Sequence, residues 1–340
     1  MRILLVDDDL GAVDETSWIE GGTTVMRRVL FGALFLLVCG VLISQGVTVT
    51  AQNTTGTRAK ILKKAGIEKG LARGATGAQG ILAGQTVPVG EGLVVRRRLA
   101  GPNNASLHST VTDGEHMTEV MVITEGSGTI MLGGTYVDQT AEYGKKDRSK
   151  GLTGGLTYEV AAGSVIVVPP GVPHWFSKIN GHVTMVEVRY PVSAPLEVLS
   201  KADVARRYSA ATWGIGGQAH SIIPASKPTN ANSVVVRHRE KNRPNDASIH
   251  SGDTDGVNAT EVMIVLEGGG TFMTNGTFND PAPDYRKKDR TKGITGGVVS
   301  EVQAGDILVY PPGTSHWFSN IPEQVTMIEL RIPGDITSVK

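Results

Sequence analysis

The chain has 340 residues, and its 33 Lys+Arg against 33 Asp+Glu give a formal net charge of zero. That balance excludes a generic basic nucleic-acid binder and an acidic disordered tail, and a length of about 100–200 residues per domain suggests two or three domains. Glycine (43) and proline (16) mark many turns, while the single cysteine, Cys39, excludes a disulfide framework or a Cys-based zinc site within one chain.

Residues 1–25 open with MRILLVDDD, which resembles the first strand and acidic turn of a response-regulator receiver. The rest of a receiver does not follow, so this stretch reads as an over-extended start with Met26 as the initiator. Arg27-Arg28 then precede an apolar run of 15 residues over 29–43, and Val49-Thr50-Ala51 ends in small residues. This is the pattern of a signal peptide over 26–51. A membrane span needs about 20 apolar residues, so membrane contact is expected only through that peptide, with an uncleaved anchor as the alternative. Cleavage after Ala51 leaves 289 residues without cysteine. The protein is therefore expected to be exported, to the periplasm or beyond. It must be held by core packing, a metal or assembly, which leaves a homo-oligomer open.

The remainder is one module written twice. GLTGGLTYEVAAGSVIVVPPGVPHWFS at 151–177 matches GITGGVVSEVQAGDILVYPPGTSHWFS at 293–319, and the segment at 105–129 matches that at 247–271, all at an offset of 142. A period this long suits duplicated domains rather than a solenoid. The divisions are an N-terminal arm at 52–89, partly helical, a first module at 90–195, a linker at 196–231, and a second module at 232–340. Short β-branched runs at 120–123 and 165–168, bounded by turn residues, and the alternation at 184–189 predict strands. The expected fold is all-β, two tandem barrels with few helices. Helix is expected at 58–73 and at 201–208, the latter capped by Ser200. The charged, Gly-rich interval 135–157 reads as a long hairpin loop.

Eight histidines occur, and four form pairs at the 142 offset: His108 with His250, and His174 with His316. Gly163-x5-Pro169-x-Gly171-x2-His174 resembles the second motif of the cupin superfamily, and Gly305-x5-Pro311-x-Gly313-x2-His316 repeats it, with Asn320 downstream. Glu119 followed by Gly126, and Glu261 followed by Gly268, resemble the end of the first motif. The resemblance implies a bicupin, two jelly-roll (double-stranded β-helix) barrels, each able to hold one metal ion. The first motif departs from the family pattern, because Ser106 and Ser248 stand where a histidine is usual and 11 residues separate His108 from Glu119. The metal ligands implied are His108, Glu119 and His174 in the first module and His250, Glu261 and His316 in the second. His116 is a candidate third histidine in the first module, where the second has Asn258.

Imidazole and carboxylate donors suit Fe, Mn, Ni, Zn or Cu, and two His with one carboxylate leave positions open for substrate or dioxygen. The alternative is that His174 and His316 are packed barrel residues beside Trp175 and Trp317. The repeated Tyr143-x-Lys145-Lys146-Asp147-Arg148 and Tyr285-x-Lys287-Lys288-Asp289-Arg290 read as a solvated hairpin or as a lid that clamps an anion. Glu187 and Arg189, with Glu329 and Arg331, are as ready to pair with each other as to touch a ligand.

Two functions follow. One is a metal-dependent enzyme on a small organic substrate; by resemblance, bicupins include dioxygenases of phenolic compounds and oxalate-degrading enzymes. The other is a non-catalytic metal- or small-ligand-binding bicupin. Nothing in the sequence supports nucleic-acid binding. The extra His116 places the expected activity in the first module, with Glu119 as its catalytic residue.

Overall fold

The computed structural model describes residues 59–74, 85–100, 116–137, 151–213, 217–226, 231–241, 258–279 and 293–337. The receiver-like opening, the signal segment 26–51, Ser106, His108, Ser248, His250 and the two charged hairpin repeats lie outside the described residues.

The first half runs β1 (Lys60–Leu62), α1 (Lys64–Gly74), β2 (Gln85–Gly90), β3 (Leu93–Leu99), β4 (Thr118–Leu132), β5 (Thr135–Tyr136), β6 (Leu152–Thr153), β7 (Leu156–Ala161), β8 (Val165–Val168) and β9 (His174–Tyr190). The second half repeats it: β10 (Glu197–Leu199), α2 (Lys201–Ser209), β11 (Gln218–Ile223), β12 (Ser233–Glu240), β13 (Ala259–Thr274), β14 (Thr277–Phe278), β15 (Ile294–Thr295), β16 (Val298–Gln303), β17 (Ile307–Tyr310), β18 (His316–Asn320) and β19 (Gln324–Pro333). The predicted all-β architecture is what the chain adopts, as two tandem jelly-roll barrels.

In the first barrel the sheet order is β10-β8-β4-β9-β3-β2, with β7 added to the far half of β4. Register shifts between Ile123 and Glu125 and again at Gly126 let β4 bend from one layer into the other. Gly126 and its repeat Gly268 sit there with φ of 76° and 67°. A Cβ on either would strike the backbone carbonyl of His182 or Gln324. This bend is the physical reason for the glycine that follows each motif glutamate.

Alternation along β4 sorts the side chains. Val120 and Val122 face outward, while Met121 and Ile123 join Ile130, Ile166, Val168, Phe176 and Met185 inside the first barrel. The second barrel has the matching interior of Met263, Val265, Phe272, Leu308, Tyr310, Phe318 and Met327. The outward faces of the two barrels pack on each other. Val120, Val122, Val165, Val167, Val186 and Val188 share one buried cluster with Val262, Ile264, Ile307, Val309, Ile328 and Leu330.

The arm and the linker are themselves a repeat. β1, which precedes the first barrel, pairs with β17 of the second, and β10, which precedes the second, pairs with β8 of the first. Each barrel is thus completed by the strand that leads into the other. Helix α2 begins as expected, with a capping box in which Asp203 N–H donates to Ser200 Oγ at 3.1 Å and Ser200 N–H donates to Asp203 Oδ2 at 3.0 Å. Helix α1 starts later than the sequence suggests. Lys60–Leu62 is drawn into a strand by the open edge of β17, and the buried Asp306 carboxylate accepts from Lys64 N–H at 2.8 Å to cap the helix from the other module.

Candidate functional site

Glu119 is the second residue of β4, on the inward side of the first barrel, and His174 opens β9. Both are buried, and His174 Nε2 lies 3.4 Å from Glu119 Oε2. Glu261 and His316 form the same pair in the second barrel at 3.1 Å. The turn containing the motif prolines orients both imidazoles. His174 Nδ1–H donates to the Val172 carbonyl at 3.1 Å, and His316 Nδ1–H to the Thr314 carbonyl at 2.9 Å. Each ring therefore turns its Nε2 toward the carboxylate, as metal-binding histidines do when a carbonyl holds the other nitrogen. Burial pushes the His174 imidazolium down, but the charge of Glu119 outweighs it and holds that group above its ordinary value.

Two donors sharing a metal at roughly 2.0–2.2 Å stand about 2.8–3.5 Å apart when they occupy adjacent coordination positions. Both Glu–His separations meet that requirement, so each pair fits one edge of a metal site. Among the described residues no third His, Cys, Asp or Glu joins either pair. The third donor expected from sequence, His108 or His250, lies outside them. His116 is exposed ahead of β4, as Asn258 is ahead of β13. The structure does not bring His116 to Glu119, because the chain turns inward only from Thr118 onward.

Sequence reasoning missed the arginines. Arg96 and Arg98 alternate inward on β3, opposite Met185 and Val183, and Arg237 and Arg239 take the same places on β12, opposite Met327 and Val325. The signal was an Arg-x-Arg repeated at 141 rather than 142, so one residue of slip between β3 and the first motif hid it.

Arg96 Nε donates to Glu187 at 3.1 Å, and Arg189 Nε stands 3.8 Å from Glu119. In the second barrel Arg237 Nε donates to Glu329 at 2.9 Å, and Arg331 Nε lies 2.9 Å from Glu261 and Arg331 Nη2 3.5 Å from Glu329. Glu187 thus bonds to Arg96 while also feeling the charge of Arg189, and Glu329 pairs with both Arg237 and Arg331. Burial pushes the Glu329 carboxyl up, and Arg237 and Arg331 overcome it and hold it at about 2. Buried Arg239 lies over the Phe318 ring at 5.6 Å, and burial brings its guanidinium down to about 9, still charged at neutral pH.

Each interior therefore sets three arginines against two glutamates. The arginine side chains at the rim are a fifth or so exposed (Arg96 19%, Arg189 25%), whereas Glu119 is 1% exposed. The more exposed charges around the buried carboxylate are therefore positive.

The other histidines serve elsewhere. His182 lies 3.5 Å from Glu125, His220 is 3.2 Å from Arg207, and His238 stacks on Tyr208 with ring centroids 4.5 Å apart. Phe176 and Phe318 are core, while Trp175 lies against Gly151 and Trp317 against Gly293 as walls.

Residues 254–334 match the sequence model of the cupin family. The second barrel is a cupin domain. Among solved structures the chain is similar to a mutant of salicylate 1,2-dioxygenase from Pseudoaminobacter salicylatoxidans in complex with gentisate, at TM-score 0.50 and 8% identity, covering 94% of each chain. That likeness is one of fold, and it spans both barrels of this cupin-containing chain. Two others are a cupin 2 conserved barrel domain protein from Leptotrichia buccalis (TM-score 0.41, 10% identity, 71% of this chain and 82% of that one) and an oxalate decarboxylase from Bacillus subtilis (TM-score 0.36, 12% identity, 72% and 68%). No curated protein matches the sequence.

Proposed function

We propose that the protein is an exported bicupin whose barrels each hold one first-row divalent metal ion (Fe, Mn, Ni, Zn or Cu), and that the first barrel is a metal-dependent enzyme site for a small anionic organic substrate. The reaction class is dioxygenase-like or decarboxylase-like. The observation that carries this reading is the buried Glu–His pair at 3.4 Å, its imidazole held by a carbonyl, with Arg189 3.8 Å from the same glutamate.

His174 and Glu119 would hold the ion with His108, and His316 and Glu261 would do so with His250. When bound, the ion supplies Lewis-acid or redox chemistry at its open positions. The chain supplies the rest. Arg189 and Arg96 attract and orient the anion, a bidentate-capable pairing for a carboxylate. Met121, Ile123, Val168 and Phe176 make a dry floor that excludes water and strengthens those charge interactions. Glu187 keeps Arg96 in place, so the rim charge is preset before the ligand arrives.

A non-catalytic binding role suits the second barrel better, because Arg331 Nε stands 2.9 Å from Glu261 where Arg189 stands 3.8 Å from Glu119. The test is elemental analysis of natively purified protein followed by a screen of phenols and small carboxylates. His174→Ala and His316→Ala should each lose about one metal equivalent. Glu119→Gln should abolish turnover, while Glu261→Gln should mainly lower stability. Wild type free of metal after growth in metal-replete medium would remove the ligand assignment, and equal loss of turnover from both glutamines would remove the asymmetry. Export is checked by intact mass of secreted or periplasmic material, which should lack residues through about Ala51.

A further inference from the structure

Asparagine followed by glycine occurs twice in the sequence, at Asn180-Gly181 and at Asn275-Gly276. Neither pair is repeated in the other module: at the offset of 142 the first meets Pro322-Glu323 and the second meets Gly133-Gly134. In such a pair the amide nitrogen of the glycine can close a five-membered ring on the asparagine side chain, because no side chain on the glycine shields it. The two pairs share this chemistry, and the fold treats them oppositely.

Asn275-Gly276 is locked. Asn275 N–H donates to the Ser315 carbonyl at 2.9 Å, Gly276 N–H donates to Ser315 Oγ at 3.0 Å, and Ser315 Oγ donates to the Gly276 carbonyl at 2.8 Å. The nitrogen that would attack is therefore occupied, and Asn275 itself is fixed in the left-handed region with φ of 57°. Asn180-Gly181 is open. Ser127 pairs with Asn180 while Gly126 pairs with Val183, so Gly181 and His182 are extra residues on β9, a bulge where the ladder to β4 is interrupted. Asn180 and Gly181 are both exposed, and among the described residues nothing lies within 4 Å of where a Gly181 side chain would sit. Ala100 N–H anchors the Gly181 carbonyl at 2.7 Å rather than its nitrogen. The Asn180 side chain donates from Nδ2 to Ser127 Oγ at 3.1 Å, an exposed contact that water can replace.

We propose that Asn180 is a site of spontaneous modification, and that Ser315 protects Asn275 from the same reaction. The Gly181 amide nitrogen, having lost its proton to solvent base, bonds to Asn180 Cγ. The Cγ–Nδ2 bond breaks, ammonia leaves and a succinimide remains. Water then opens the ring, at Cγ to give aspartate or at the main-chain carbonyl to give isoaspartate, whose backbone runs through the side chain. Nothing is oxidised or reduced. Either product places a carboxylate two residues from His182, whose Nε2 lies 3.5 Å from Glu125, where Glu125 and Glu68 of α1 share Arg97. A reacted copy thus carries added negative charge at the contact between α1 and the first barrel.

The test keeps the full chain in warm, mildly alkaline buffer and follows the gain of one dalton at each asparagine by peptide mass mapping, with isoaspartate methyltransferase labelling of the rearranged product. Asn180 should react at least about tenfold faster than Asn275, which reacts only when its hydrogen bonds open. In denaturant the two should react at similar rates, because only the shared local chemistry remains. Asn180→Gln should reduce labelling of that peptide to background. Ser315→Ala, once melting shows it folded, should bring Asn275 toward its denatured rate. Asn180 unmodified in the folded chain, Asn275 reacting as fast or faster, or the same ratio of rates in denaturant would overturn the proposal. Asn275 unchanged in folded Ser315→Ala would remove Ser315 as the protecting group. Where Ser315→Ala does not fold, the folded and denatured rates of wild-type Asn275 decide whether the fold protects it.

Discussion

Glu329 shows how charge is kept inside these barrels. It is buried beside Arg237 at 2.9 Å and Arg331 at 3.5 Å, and its carboxyl falls from 4.5 to about 2. A carboxyl depressed in the folded state stabilises it above the ordinary value, and that contribution is lost as pH falls from about 4.5 toward 2. Thermal melting of wild type should therefore drop across that window, and Glu329→Gln should flatten the drop. At neutral pH the same substitution removes the buried carboxylate that Arg237 and Arg331 share and should cost roughly 3–5 kcal/mol. A melting curve for Glu329→Gln that follows wild type from pH 7 to pH 2 would mean that the glutamate is not held by the arginines.

Among elements, α2 and the bend in β4 respond to single changes for different reasons. Ser200 and Asp203 satisfy each other's backbone donors at the start of α2. Ser200→Ala should cost about 1 kcal/mol and lower the melting temperature, with little effect on ligand binding. Gly126 and Gly268 hold backbone in the left-handed region, against a carbonyl of the neighbouring strand. Alanine at either should cost at least about 1–3 kcal/mol from backbone strain alone. Because each bend lies on the strand that carries the glutamate, Gly126→Ala should also reduce metal retention in the first barrel. Full metal content at wild-type stability would show that β4 tolerates a side chain there.

For the whole molecule, the reciprocal exchange of β1 and β10 makes a distinctive expectation. Residues 60–62 precede the first barrel but pair with 307–309 of the second. Leu62 is buried in the cluster shared by both barrels, and Leu62→Ala should cost about 2–5 kcal/mol. Hydrogen exchange in that variant should rise at 307–310 and leave 165–168 near wild type, since β8 keeps its edge partner β10. Faster exchange at 165–168 instead would place β1 on the first barrel.

The duplication, the turns and the paired His174, His316, Glu119 and Glu261 were legible in the amino-acid order because they are local. Turn chemistry, two-residue alternation and a motif repeated at a constant offset all act within a few residues of chain. The cap at Ser200 was legible for the same reason. What the tertiary structure decided is non-local. It drew 60–62 out of the expected helix because an open strand edge of the other barrel satisfies more backbone donors than the start of a helix does. It left His116 outside and turned Glu119 inward, an outcome set by where the strand begins. It brought Arg96, Arg98 and Glu187 together from strands about 90 residues apart, behind a one-residue slip in the repeat. It also set Tyr310 against His316, a contact that gives the two copies unequal interiors although their motifs read alike. A repeat shows which residue types a duplicated barrel keeps, whereas the partner of each charge depends on how distant strands close around it.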